Sequence, residues 1–163
     1  MTTVAVKPAS VRTCLWFDQN AEEAARAYCD LLDGAKITHV FPQRGDPEGR
    51  AFIVQWEMLG QKFSGLNGGP HYKLSPAASI EVHLDSQSDV DSLWSALLRD
   101  GGTEQRCGWL VDRFGVSWQI IPRGLMDLMT TPDTARAQRV TAALMQMVKI
   151  DIDVLTAAAE AGS

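Results

Sequence analysis

The sequence predicts an α+β protein made of two tandem βαβββ modules that form a cupped mixed sheet, with C-terminal helices after them. Three observations predict it. The order strand, helix, strand, strand, strand occurs twice, and the punctuating residues recur with it: setting Asp18 on Asp85 also sets Gly34 on Gly101 with no gap. Across the two hairpins, Leu59-Gly60 sits on Phe114-Gly115, which places Ser64 against Gln119. The strand segments alternate polar and apolar residues, as half-buried sheets do.

Taken in order, the first ten residues are a polar leader. Residues 11–17, VRTCLWF, have the β-branched and aromatic content of a strand. Asp18-Gln19-Asn20 supplies a turn and a helix cap, and AEEAARAYCDLL carries helix formers until Asp33-Gly34 stops it. Residues 35–41 make a second strand, the turn-rich QRGDPEGR follows, and strands at 50–58 and 61–67 flank a Leu59-Gly60 hairpin. After a loop over 68–76 the order returns, with a strand at 77–84 and a helix capped by Ser88 or Asp89 that ends near Asp100-Gly101. Strands at 103–107, 109–111 and 116–122 complete the second module, with Asp112-Arg113-Phe114-Gly115 as the turn between the last two. Three helices are expected in the tail: 125–129, one opened by Pro132-Asp133 that runs to about 147, and 150–161. Val140, Leu144, Met145 and Met147 form an apolar stripe there. The expected organisation is one domain over 11–122, with modules 11–67 and 77–122, and a helical extension over 123–163 packed on that domain or on a partner.

A chain of 163 residues with 45% hydrophobic and 21% charged residues has enough apolar material for one real core. Its net charge of -5 argues against nucleic acid and anionic membranes, which select clustered Lys and Arg. No apolar run reaches membrane-spanning length and the start MTTVAVKPAS lacks a signal-peptide core, so a cytoplasmic protein is expected. Cys14, Cys29 and Cys107 have no CxxC spacing and are read as reduced thiols.

Alternation assigns the faces. Ile80, Val82 and Leu84 belong under the second helix, as Thr13, Leu15 and Phe17 belong under the first. The opposite faces gather Cys14, Trp16, Lys62, Ser64, Ser79, Glu81, His83, Ser117 and Gln119 into the wall of a cup, although an antiparallel face open to water carries the same alternation. Trp16, Trp109, Phe114 and Trp118 are available for stacking on a flat ligand or for the core. Glu81 and His83 share a strand face and suit an acid–base pair, with no electrophile or nucleophile beside them. Cys107, between Arg106 and Gly108-Trp109, is the remaining nucleophile candidate and is equally a packed thiol. His39 and His71 are read as surface residues.

The paired modules resemble the vicinal oxygen chelate superfamily of glyoxalase I, extradiol dioxygenases and the bleomycin- and fosfomycin-resistance proteins. LWFDQNAEEAARAYCDLL, QKFSGLNGGPHYK, CGWLVDRFGVSWQIIP and AQRVTAALMQMVKIDIDVLTAA are similar to its PhnB-like branch, whose members often bear the name 3-demethylubiquinone-9 3-methyltransferase. The resemblance implies a homodimer and a divalent metal held by His, Glu or Gln from the first and last strands of each module. Those places hold Thr13 or Cys14, Ser64, Ser79 and Gln119 here, and of these Gln119 alone is a plausible ligand. The methyltransferase name finds no GxGxG loop, since Gly68-Gly69 follows a strand and Gly101-Gly102 a helix. Two uses of the cup follow. One is metal-free binding of an unidentified small molecule by Cys14, Trp16, Ser64, Ser79, Glu81, His83, Trp109, Ser117 and Gln119. The other is a divalent-metal lyase, isomerase or dioxygenase built on Glu81, His83 and Gln119.

Overall fold

The computed structural model describes residues 11–161, in two units that divide between Leu74 and Ser75. The ten-residue leader lies outside the described residues.

The first unit runs β1 (Thr13–Phe17), α1 (Ala21–Leu31), β2 (Lys36–Pro42), β3 (Ala51–Met58) and β4 (Gln61–Asn67). Its sheet has the order β1-β4-β3-β2, with β1 parallel to β4 and the other pairs antiparallel. Leu15 and Phe17 are buried and Cys14 is exposed, as expected, but Thr13, expected under the helix with Leu15 and Phe17, is exposed at the first position of the strand. The helix packs closely because its inner face is small: Ala21, Ala24 and Ala25 are wholly buried, and a Cβ on Gly65 of β4 would come within 2.9 Å of Ala21 Cβ. Val54, Trp56, Met58 and Phe63 complete this core, with the Trp56 and Phe63 rings stacked at 5.5 Å.

The second unit repeats the plan with β5 (Ile80–Leu84), α2 (Gln87–Leu98), β6 (Thr103–Glu104), β7 (Trp109–Val111) and β8 (Ser117–Pro122), in the order β5-β8-β7-β6. Here β5 is parallel to β8. The internal match read from the sequence holds at the level of register. Cys14 lies opposite Ser64 on β4, and the residues aligned with them, Glu81 on β5 and Gln119 on β8, lie opposite each other. Gly34 and Gly101, which end the two helices, both have positive φ, the conformation for which glycine is the ordinary choice. Val116, Trp118 and Ile120 are buried as expected of the inner face of β8.

Several boundaries differ from the sequence reading. Asn20 makes no side-chain cap; Asn67, at the far end of β4, accepts from the Ala21 amide at 2.9 Å instead. At α2 the cap is Ser86, which accepts from Asp89 N at 3.1 Å, so Ser88 and Asp89 fall inside the first turn. The strand expected from 77 begins at Ile80, and the one expected over 103–107 stops at Glu104, because Cys107 turns the chain with φ of 58°.

The tail forms α3 (Gly124–Met129), α4 (Thr134–Leu144) and α5 (Ile152–Glu160) and belongs to the second unit. Its core joins Ile121 of β8 to Leu125, Val140, Leu144, Ile150, Leu155 and Ala159. The expected stripe divides: Val140 and Leu144 are buried, whereas Met145 is exposed, since α4 ends at Leu144. Backbone bonds from Cys107 N to Met147 O and from Gly108 N to Val148 O fasten the α4–α5 connection. Gln87 of α2 fastens it again, donating to Ile150 O at 3.0 Å and accepting from Ile152 N at 3.1 Å.

Lys149 joins this clasp through an ion pair with Asp91. The Lys149 ammonium, with the Gln87 amide, holds the Asp91 carboxyl below the usual aspartate range. A folded-state value below the unfolded one means that the contribution is present above the ordinary value of about 3.9 and is lost as pH falls through the lower folded value. A carbon-detected carboxyl titration should place the Asp91 midpoint below that ordinary value and move it upward in Lys149→Met. An unmoved midpoint would show that the lysine does not set it.

Candidate functional site

In the second unit β5, β8 and β7 bring Glu81, Gln119 and Trp109 onto one rung, since Glu81 pairs with Gln119 and Gln119 with Trp109. His83 and Ser79 stand two residues either side of Glu81 and share its face. Glu81 Oε1 lies 2.5 Å from His83 Nε2, and both side chains are open to solvent. Gln119 Nε2 donates to Ser79 Oγ at 2.8 Å, which orients the amide with its carbonyl oxygen unused by that bond. Five of the sequence-predicted residues are therefore neighbours on one sheet: Ser79, Glu81, His83, Trp109 and Gln119.

Ser117, two residues before Gln119, is a different case. It was expected on an accessible wall, yet it is 2% exposed, and its Oγ has no hydrogen-bond partner within the protein. Its cross-strand neighbour is Val111, which offers its side chain no acceptor.

In the first unit Cys14 faces Ser64 across the parallel β1–β4 pair, with Cys14 exposed and Ser64 half-buried. Trp16 is fixed more tightly than its neighbours. Its Nε1 donates to Gly69 O at 2.8 Å, and its ring meets Tyr72 edge-on at 4.9 Å. It also covers Gly68, where a Cβ would lie 2.2 Å from Trp16 Cζ2. Gly68→Ala is therefore expected to expel the Trp16 ring, giving a red shift in tryptophan emission and loss of its indole N–H resonance position; unchanged spectra would contradict the packing. Lys62 is spoken for by Glu57 at 3.8 Å.

Cys107 lies against the tail. Its Sγ donates weakly to Leu144 O at 3.6 Å and touches Met145 Sδ at 3.8 Å, inside the tail contact. Arg113, a cation six residues further on, pairs with Asp100 at 3.7 Å and lies over the Phe114 ring. Phe114 and Trp118, weighed as stacking surfaces, are committed to the hairpin cation–π contact and to the core.

Asn67, whose carboxamide joins β4 to α1 and to Ala51 O at 2.8 Å, escaped the sequence reading, as its partners lie 46 and 16 residues away. Asp112 was read as a turn residue only. It is 5% exposed and accepts from Phe114 N, Val116 N and the buried Trp118 Nε1 at 2.9, 3.0 and 2.9 Å.

The family model described as 3-demethylubiquinone-9 3-methyltransferase matches residues 9–121, both modules and nearly all the strands described above. The chain belongs to that family. As a member of its PhnB-like branch, within the vicinal oxygen chelate superfamily, it is similar to a PhnB protein from Bacillus cereus at 25% identity and a TM-score of 0.63, covering 69% of this chain and 98% of that one. A Pseudomonas aeruginosa protein shares the fold at 22% identity and a TM-score of 0.56, over 66% of this chain and 92% of that one. No curated protein matches the chain significantly. The family match of this PhnB-like chain stops at residue 121, so α3, α4 and α5 lie beyond it. Among the described residues no helix is long and apolar enough to cross a membrane.

Proposed function

We propose that this PhnB-like protein binds a small molecule on its polar sheet face without a resident metal, and that it does not act as a methyltransferase. The observation that carries the reading is the Gln119–Ser79 pair, a half-buried amide held in place by its own hydrogen bond. Ser117 next to it is a buried hydroxyl left without a protein partner, at a cost on the order of 1–3 kcal/mol. Trp109 and Gln119 on the same rung add an aromatic surface and a free carbonyl oxygen.

The donor chemistry fits a metal poorly. Divalent catalytic sites take about three protein ligands. Glu81 and His83 supply two and already bond to each other, and among the described residues no group of three His, Cys, Asp or Glu is placed to hold an ion. No reaction step is therefore assigned through one. The second reading, a divalent-metal lyase, isomerase or dioxygenase, is supported by the short Glu81–His83 contact with Gln119 on the adjoining strand.

We also place the protein in the cytoplasm as a homodimer. β2 is an outer strand of its sheet, and Val40 and Phe41 on it are exposed, which favours pairing with a second copy.

A thermal-stability screen of small metabolites in the presence of chelator tests the reading. A ligand should raise the melting temperature with chelator present and lose most of that effect in Gln119→Ala. Stabilisation that appears only with added divalent metal would favour the second reading. Ser117→Ala is expected to raise the stability of the ligand-free protein by about 1 kcal/mol, because it removes the unpaired hydroxyl. Destabilisation in urea unfolding would show that Ser117 serves the fold.

A further inference from the structure

The first unit contains a cavity of about 330 Å³ at the carboxyl ends of β1 and β4. Its volume lies at the lower end of small-molecule sites. Asp18, Gln19, Arg50, Phe52 and Gly69 are among its walls.

The hydrogen bonds decide which charge is available there. Arg50 is already claimed: its Nε and Nη2 donate to Asp46 at 3.0 and 3.1 Å, Nη1 donates to Gln19 Oε1 at 3.2 Å, and Glu48 stands 3.6 Å from Nε. The amide at the start of α1, the other positive feature nearby, is taken by Asn67, and Glu22 and Glu23 occupy the first turn. Asp18 by contrast has no side-chain partner among the described residues, although its carbonyl accepts from Gly69 N. Asp46 and Glu48 neutralise Arg50, and Phe52 keeps 44% of its surface open. A carboxylate beside an accessible aromatic ring selects a cation with a hydrocarbon body.

We propose that this cavity binds a small organic ammonium ion, with its charge at Asp18 and its hydrocarbon against Phe52. Arg50 is then a positioning residue that holds Gln19 and the 43–50 loop in place. The ammonium would make a charge-assisted hydrogen bond to Asp18, and the bound site would exclude carboxylates of the same shape.

Isothermal titration at neutral pH with benzylamine, benzyl alcohol and benzoate tests this on the full chain. Benzylamine should bind saturably at millimolar concentration or below, with benzyl alcohol and benzoate at least tenfold weaker. Asp18→Asn should weaken benzylamine at least tenfold and Phe52→Leu should weaken it severalfold, both with melting temperatures near wild type. Binding of benzoate as tight as that of benzylamine would make Arg50 the anchor and overturn the proposal. So would absence of benzylamine binding, or Asp18→Asn binding like the wild type.

Discussion

Asp112→Ala is expected to destabilise the fold by about 4 kcal/mol, because it strips partners from three donors, two of them on buried residues, at about 1–3 kcal/mol for each donor left unpaired. The carboxylate ties the β7–β8 turn together through Phe114 N and Val116 N and then reaches Trp118 Nε1, on a residue with no exposed surface. One side chain thus sets both the turn and the rotamer of the largest core residue of β8. Asp112→Asn should fall between the two. Its oxygen can still serve the turn amides, but its NH2 would face the indole N–H, donor against donor. Urea unfolding measures both variants. A loss below about 1 kcal/mol for alanine would mean that solvent or a neighbour replaces the carboxylate readily.

Gly108→Ala is the second large effect, at about 3 kcal/mol, summing a positive-φ cost of about 1 kcal/mol or more with overpacking of about 1–3 kcal/mol. Gly108 has φ of 80°, and a Cβ there would lie 2.7 Å from Ile150 Cδ1 and 2.9 Å from Ile120 O. The side chain could move aside, but the β8 backbone is held, since Ile120 is paired with Val82 of β5 and donates from its own amide to Gly108 O at 2.8 Å. The same residue donates to Val148 O, so the strain falls where the tail is fastened. Limited proteolysis should therefore cut the α4–α5 connection sooner in the variant than in wild type. Equal cleavage, together with an unchanged urea midpoint, would contradict the clash.

What the sequence made legible was whatever repeats or alternates. The duplication fixed the order of elements and, through Cys14–Ser64 and Glu81–Gln119, the register of both parallel pairs. The faces followed from period two, which puts Val82 and Ile120 on the buried side and Glu81 and His83 on the other. Contacts made across the fold were illegible. Asn67 caps a helix 46 residues upstream, so the local signal at Asn20 pointed to the wrong donor. Ser86 and Ser88 are equally good caps by composition, and only backbone geometry chose Ser86, whose φ and ψ are extended. Ser117 has the right parity for an accessible face but lies beside Val111 rather than a polar neighbour, and alternation does not report depth. The cavity at Asp18 draws its walls from four separated segments, none of which carries a motif. Asp112 was within reach, because an Asp two and four residues before the amides it accepts from is an Asx-turn pattern.

The account rests on a sheet face whose hard donors are too few and too committed to one another to hold a cation. Metal analysis of protein purified without chelator, wild type beside His83→Ala, measures this directly. The account predicts well under one equivalent of Zn, Ni, Mn or Fe in both proteins. Near-stoichiometric metal in the wild type that is lost from His83→Ala would contradict it.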